Sequence, residues 1–180
     1  MKKILSILIL TVAFWSCESD VKFSDPGFQG RKDNFAWRAD ITTASFQSDG
    51  VDPNIGTLTI EAYRGLERVT LTVPFDRNGT ITKFNPVTYS LGPTADVSDD
   101  ITATYDYTDS GFELVYSTDT GEEPDGDSVG NATISLNEYD IVKQTISGTF
   151  KFNAKYVGES TVVNENVNFQ EGVFYHIPIQ

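Results

Sequence analysis

From Phe35 onward the apolar residues of this chain recur at every second position, and a period of two excludes a body built from helices. Phe35, Trp37, Ala39 and Ile41 alternate with Ala36, Arg38 and Asp40. Leu58, Ile60 and Ala62 alternate with Thr57, Thr59 and Glu61, and Val69, Leu71, Val73 and Phe75 with Thr70, Thr72 and Pro74. Runs of the same kind lie at 87–91, 101–107, 112–118, 132–137, 146–156 and 173–179. Such alternation buries one face of a strand and wets the other, as in antiparallel sheets. The side chains in these runs are mostly Thr, Val, Ile, Tyr and Phe, which suit a pleated, half-buried surface.

Turn chemistry falls between the runs. Asn78-Gly79 supplies the positive φ angles of a tight hairpin, Asp109-Ser110-Gly111 does the same before Phe112, and 140–144 joins the runs around it. About nine short strands with mostly short links predict one all-β domain over residues 35–180, an antiparallel meander forming a β-sandwich or flattened barrel. A lipocalin-like closed barrel is the alternative. No internal repeat and no second domain is visible.

The N-terminus has a different character. Lys2 and Lys3 precede an apolar run from Ile4 to Phe14, about eleven residues where a spanning helix needs roughly 20. A charged start followed by so short a run reads as a signal peptide over residues 1–16. Phe14-Trp15-Ser16-Cys17 contains the only cysteine of the chain and resembles a bacterial lipobox. The resemblance implies cleavage between Ser16 and Cys17, acylation of Cys17, and attachment to the membrane through two or three acyl chains, where one chain alone holds marginally. Phe14 and Trp15 depart from the Leu and small residue usual at those places, and the alternative is cleavage elsewhere with Cys17 left as a free thiol. Residues 17–34 show no sustained period and carry turn formers, so they are expected to be the acylated Cys and a flexible tether with a reach of at most about 60 Å. Glu18-Ser19-Asp20 resembles an acidic export signal of Bacteroidetes-type lipoproteins; a solvated linker start is the other reading.

Loss of residues 1–16 would remove two lysines and no acid, leaving 11 basic against 26 acidic residues, a formal charge of −15 in place of −13. A body so acidic repels phosphates and lacks the Lys/Arg footprint that nucleic acid requires, so nucleic acid is excluded as a partner. With Cys17 acylated no disulfide is available, and the core alone must hold the fold. About 160 residues suffice for that.

Chemistry-bearing constellations are few. Glu122-Glu123-Pro124-Asp125-Gly126-Asp127-Ser128 has the oxygen atoms that Ca²⁺ requires but not the alternating register of an EF-hand loop, so Asp125 and Asp127 are the candidate metal ligands and a solvated, self-repelling loop is the competing reading. The only histidine, His176, has no Gly-x-Ser-x-Gly elbow to serve and no second His for zinc; a rim position is expected. Pairs of carboxylates at glycosidase spacing carry no signal among 26 acids. Phe150 and Phe152 are expected in the core, whereas Tyr63, Tyr105, Tyr107, Tyr116 and Tyr175 are candidates for a ligand surface or for rim packing. Asp127-Ser128-Val129 resembles a short O-glycosylation site, which makes Ser128 a candidate acceptor.

Together, the lipobox, Phe35-Ala36-Trp37-Arg38-Ala39, the segment from Ile146 to Ala154 containing Gly148-Thr149-Phe150, and Glu171-Gly172-Val173-Phe174 are similar to a lipoprotein family of Bacteroidetes-type bacteria built on a domain of unknown function. The resemblance covers most of residues 17–180. It implies an all-β outer-membrane lipoprotein, on the periplasmic or the cell-surface side, and transfers no catalytic residue. Gly148-Thr149-Phe150 reads physically as a close backbone approach or a bend, followed by core aromatics. The expected function is that of a lipid-anchored, non-enzymatic binding or interaction module with a glycan or an envelope protein as partner and without a cofactor. The alternatives are a lipocalin-like carrier of a small apolar ligand and a hydrolase acting on envelope glycans.

Overall fold

A computed structural model describes residues 25, 27–77, 85–91, 101–109, 111–119, 130–158 and 164–180. These form β1 (Gly27–Lys32), β2 (Phe35–Arg38), β3 (Ile41–Ser48), β4 (Ile55–Arg64), β5 (Glu67–Asp76), β6 (Val87–Leu91), β7 (Thr102–Asp109), β8 (Phe112–Ser117), β9 (Asn131–Asp140), β10 (Thr145–Tyr156) and β11 (Asn166–Pro178). The expected all-β antiparallel architecture is the one adopted, with no helix among the described residues.

Nine strands follow one path, β2-β1-β11-β10-β8-β7-β5-β4-β3, and this sheet curls into a half-barrel. β9 pairs with β10 and carries β6 on its other edge. Branch and main sheet face one another across the interior: Phe75 of β5 meets Tyr139 of β9 edge-on at 5.3 Å, and the Tyr89 hydroxyl of β6 donates to the Pro74 carbonyl at 2.8 Å. A single parallel bridge, Ala44 to Ile179, links the far strand β3 to the tail of the chain.

The interior between the faces is filled with large side chains. Leu58, Ile60, Leu71, Ile134, Leu136 and Ile146 are fully buried, beside an aromatic group made of Phe28, Trp37, Phe152, Phe169 and Phe174. Phe28 lies 4.6 Å from Phe150, Phe152 stacks on Phe169 at 4.8 Å, and Trp37 meets Phe169 edge-on at 5.7 Å. Each such side chain contributes about 1.5–3 kcal/mol by leaving water.

β10 and β11 meet through two reciprocal glycine–phenylalanine pairs, Gly148 opposite Phe174 and Phe150 opposite Gly172. Each ring lies over the facing strand's glycine, so that a Cβ on Gly172 would fall 2.5 Å from the Phe150 ring, and one on Gly148 would strike Phe174. The close approach expected at Gly148-Thr149-Phe150 is therefore real, and Gly172-Val173-Phe174 is its mirror across the ladder.

Three sequence readings are corrected. Residues 27–32, expected within the tether, form β1 between β2 and β11, so the folded body begins by Gly27. The run from Phe35 to Ile41 is two strands: the chain turns at Ala39 and Asp40, whose N–H groups donate to the Phe28 and Tyr63 carbonyls at 2.9 and 2.7 Å, and the chain exchanges β1 for β4 as its neighbour. Of its four alternating apolar residues only Trp37 is buried, with Phe35 78% and Ile41 63% exposed. The last strand begins at Asn166, ahead of the run expected at 173–179, and at Glu171 (φ 53°) and at His176 (φ 50°) the parity that faces inward shifts. The turn expected at Asn78-Gly79 lies outside the described residues.

Substituting Gly172→Ala is expected to lower stability by about 1–3 kcal/mol, since the methyl group displaces the Phe150 ring from its packed position. Urea unfolding followed by tryptophan fluorescence measures this. A midpoint unchanged from the parent protein overturns the account of the paired glycines.

Candidate functional site

Four strands converge on one carboxylate at one end of the half-barrel. Glu67, the first residue of β5, accepts hydrogen bonds from Lys32 Nζ at the end of β1 (2.8 Å), from the Tyr105 hydroxyl of β7 (2.5 Å) and from Trp37 Nε1 of β2 (2.9 Å). Lys32 Nζ also donates to the Tyr105 hydroxyl at 2.6 Å and lies 4.4 Å from the centre of that ring. Burial by itself lifts the Glu67 carboxyl, but the hydrogen bonds from Lys32, Tyr105 and Trp37 outweigh it, so the group titrates below its ordinary value. Tyr105 moves the other way. Burial, and then the neighbouring Glu67 charge, push its hydroxyl well above the usual phenol range.

Around this carboxylate the concave face is aromatic. Tyr105 packs on Tyr107 at 5.7 Å and on Tyr116 at 6.0 Å; Tyr107 stacks on Tyr116 at 6.3 Å, and Tyr116 meets Tyr156 at 5.6 Å. Tyr105 and Tyr116 are buried, Tyr107 and Tyr156 only partly so. Burial and the adjacent Tyr107 raise the Tyr116 hydroxyl to about 12. The surface therefore grades from a sealed floor to a half-open aromatic wall.

The register explains why this end stays apolar to its tips. Tyr107 lies opposite both Glu67 and Leu114, Asp109 opposite Phe112, and Lys32 opposite Phe35. Thr108 N–H donates to the Leu66 carbonyl at 3.2 Å. The exposed side chains of Phe35, Leu66 and Phe112 thus crown the same end as the half-buried tyrosines. On the outer face Arg68 Nε sits 2.6 Å from the buried Asp106 carboxylate, and that hydrogen bond holds the guanidinium charged more firmly than usual.

The aromatic candidates divide between the two ends and two faces. Tyr105, Tyr107 and Tyr116 come together here, joined by Tyr156. Tyr63 instead lies on β4 opposite Arg68, and Tyr175 stacks on His176 at 3.8 Å near the start of β1. His176 is half-buried, with Nδ1 3.2 Å from Asp25 Oδ1, while its main-chain N–H donates to Ser147 Oγ at 3.1 Å. Phe150 and Phe152 are in the core as expected. Ser16, Cys17, Asp125, Asp127 and Ser128 lie outside the described residues, among which no group of three or more His, Cys, Asp or Glu is placed to hold a metal ion. Lys32 and Glu67 gave no signal in the sequence, one lying in the presumed tether and the other beside a turn. Only the pairing of distant strands brings them together.

A family model described as a domain of unknown function, DUF6252, matches residues 24–178. The chain belongs to the DUF6252 family. No curated protein and no solved structure matches it. The DUF6252 match starts close to β1, in keeping with a sheet that begins at Gly27, and it includes Lys32, Glu67 and all four tyrosines of the cluster.

The two titrations act on opposite limbs of the stability curve. A lowered Glu67 contributes stability that is complete above about pH 4.3 and is lost as the pH falls through its folded value. A raised Tyr105 contributes stability complete below about pH 10 and lost as the pH rises from there. Urea midpoints measured against pH are expected to fall on both sides of this plateau, with Glu67→Gln making the acid limb shallower and Tyr105→Phe the alkaline one. Limbs that match the parent's in both variants exclude these assignments.

Proposed function

We propose that this DUF6252 protein is a lipid-anchored lipoprotein of the outer membrane in Bacteroidetes-type bacteria, acting as a non-enzymatic binding module through the tyrosine end of its half-barrel. The observation that carries the reading is the half-open wall of Tyr107 and Tyr156 beside the Lys32–Glu67 pair, rimmed by exposed Phe35, Leu66 and Phe112. Flat aromatic faces with fixed charged donors and acceptors at their edge suit a ligand that has both C–H faces and hydroxyls, as the rings of a glycan do. The lipobox-like Phe14-Trp15-Ser16-Cys17 supports the anchor.

Two features favour binding over the other readings. A general acid needs a carboxyl raised toward neutrality, whereas Glu67 is lowered and engaged by three donors. A lipocalin-like carrier needs an unfilled apolar interior, whereas Trp37, Phe28, Phe152, Phe169 and Phe174 occupy the space between the faces.

Mass spectrometry of the protein from its native membrane is expected to find a chain that starts at Cys17 and bears fatty-acyl mass. An intact Met1 start, or an unmodified Cys17, overturns the anchor. On a glycan array the parent is expected to retain a subset of glycans that Tyr107→Ala and Tyr156→Ala bind about ten-fold more weakly, the loss of one or two stacking contacts. Equal retention by parent and variants overturns the assignment of the tyrosine end.

A further inference from the structure

The end opposite the tyrosines carries two loops of matching construction. In the β3–β4 loop the Asp49 carboxylate oxygen Oδ1 accepts the N–H groups of Val51 (2.8 Å) and Asp52 (3.0 Å). In the β9–β10 turn Asp140 Oδ1 accepts those of Val142 (2.9 Å) and Lys143 (3.0 Å). Each turn presents a valine two residues after its aspartate, and these are the most exposed of the large apolar side chains among the described residues, Val51 at 92% and Val142 at 88%. Ile141 stands exposed beside Val142. These hydrogen bonds fix the main chain at both valines. Asp49 N–H donates to the Ile55 carbonyl at 2.9 Å, closing the first loop, and Ile179 N–H donates to the Gln144 carbonyl at 2.8 Å, tying the second turn to the segment after β11.

Both valines lie at the end where the chain enters the sheet. The ring series from Phe46 to Phe75 (6.1 Å) to Tyr139 (5.3 Å) places the two loops at one level of the half-barrel. Gly27, the first residue of β1, pairs with Tyr175, three residues before Pro178, which itself pairs with Thr145 next to the second loop. β1 then runs away from this end, toward Lys32 and Glu67.

We infer that the Val51–Val142 end docks on the bilayer that holds the N-terminus, so that the tyrosine end points away from it. The occupant follows from where the preceding chain ends: the ten residue steps from Cys17 to Gly27 span at most about 34 Å, so an anchor at Cys17 keeps this end near the lipid surface. The side chains of Val51, Ile141 and Val142 bind a membrane weakly alone, but a short tether makes the contact intramolecular and raises its effective concentration. Asp25, Asp49, Asp52, Asp76 and Asp140 at this end outnumber Lys143 and Arg77, which favours zwitterionic over anionic lipid. The inference rests on the anchor proposed above.

The test uses the full acylated chain in vesicles of phosphatidylcholine and phosphatidylethanolamine that contain a lipid spin-labelled near its headgroup. Cys17 carries the lipid, so a thiol introduced by Val51→Cys, Val142→Cys, Leu66→Cys or Phe112→Cys is the single attachment point for a fluorophore. All four side chains are exposed. Expected is strong quenching at positions 51 and 142, lost at 66 and 112. A chain that floats with the vesicles but is quenched alike at both ends, or more at 66 and 112, overturns the orientation and leaves the anchor standing. A chain that does not float overturns the anchor, and the orientation with it.

Discussion

The reciprocal packing of Gly148 against Phe174 and of Phe150 against Gly172 is the constraint on which the rest of the half-barrel depends. β10 is the strand where the main sheet and the β9–β6 branch part company, pairing with β11 along one edge and with β9 and β8 along the other. A phenylalanine laid across a facing glycine fills the gap left by the missing side chain and fixes the register, because a slip by one residue would turn every inward ring to the solvent. The rings of Phe28, Phe150, Phe152, Phe169 and Phe174 then build one aromatic wall, against which Trp37 and Tyr105 close.

From that wall the site follows by extension. Tyr105 belongs both to the core, through Phe169, and to the polar network, through Glu67 and Lys32. A half-buried carboxylate is tolerable because three donors surround it, and they hold it ionised where desolvation alone would favour the neutral acid. The same donors lock the tyrosine and tryptophan side chains in place. The half-buried rings above them, Tyr107 and Tyr156, therefore rest on a rigid support, and preorganisation of this kind reduces the entropy lost when a ligand is ordered on them.

Much of the sheet was legible in the sequence, because alternation is a local property. β4, β5, β6, β7 and β10 lie where the period of two places them, and the Asp140–Gln144 turn joins β9 to β10 as expected. What escaped was everything that alternation does not record. β1 has one large buried residue, Phe28, in a strand of glycines and charges, and it is held by its neighbours' ladders. β11 changes its buried parity at Glu171 and at His176, so no single alternation runs along its whole length, although Val167 and Phe169 alternate with asparagines in its first half. The site was half legible: the tyrosines could be listed as candidates, but their joining to Lys32 and Glu67 is made by strands 35 and 38 residues apart in the chain. The lipidation and acidic-loop candidates lie outside the described residues, so their chemistry rests on the sequence alone.

The place of β1 has a consequence for the order of events during synthesis. β1 has two neighbours, β2 and β11, and β11 follows all the other described strands in the chain. Until the C-terminal segment emerges, the Phe28 edge has no ladder on one side and the aromatic wall lacks Phe169 and Phe174. Contacts between the two ends of a chain are slow to form, since a long loop must close before any of its energy is gained. The ladder between β1 and β11 accordingly closes only after all the strands that lie between them in the chain have been made.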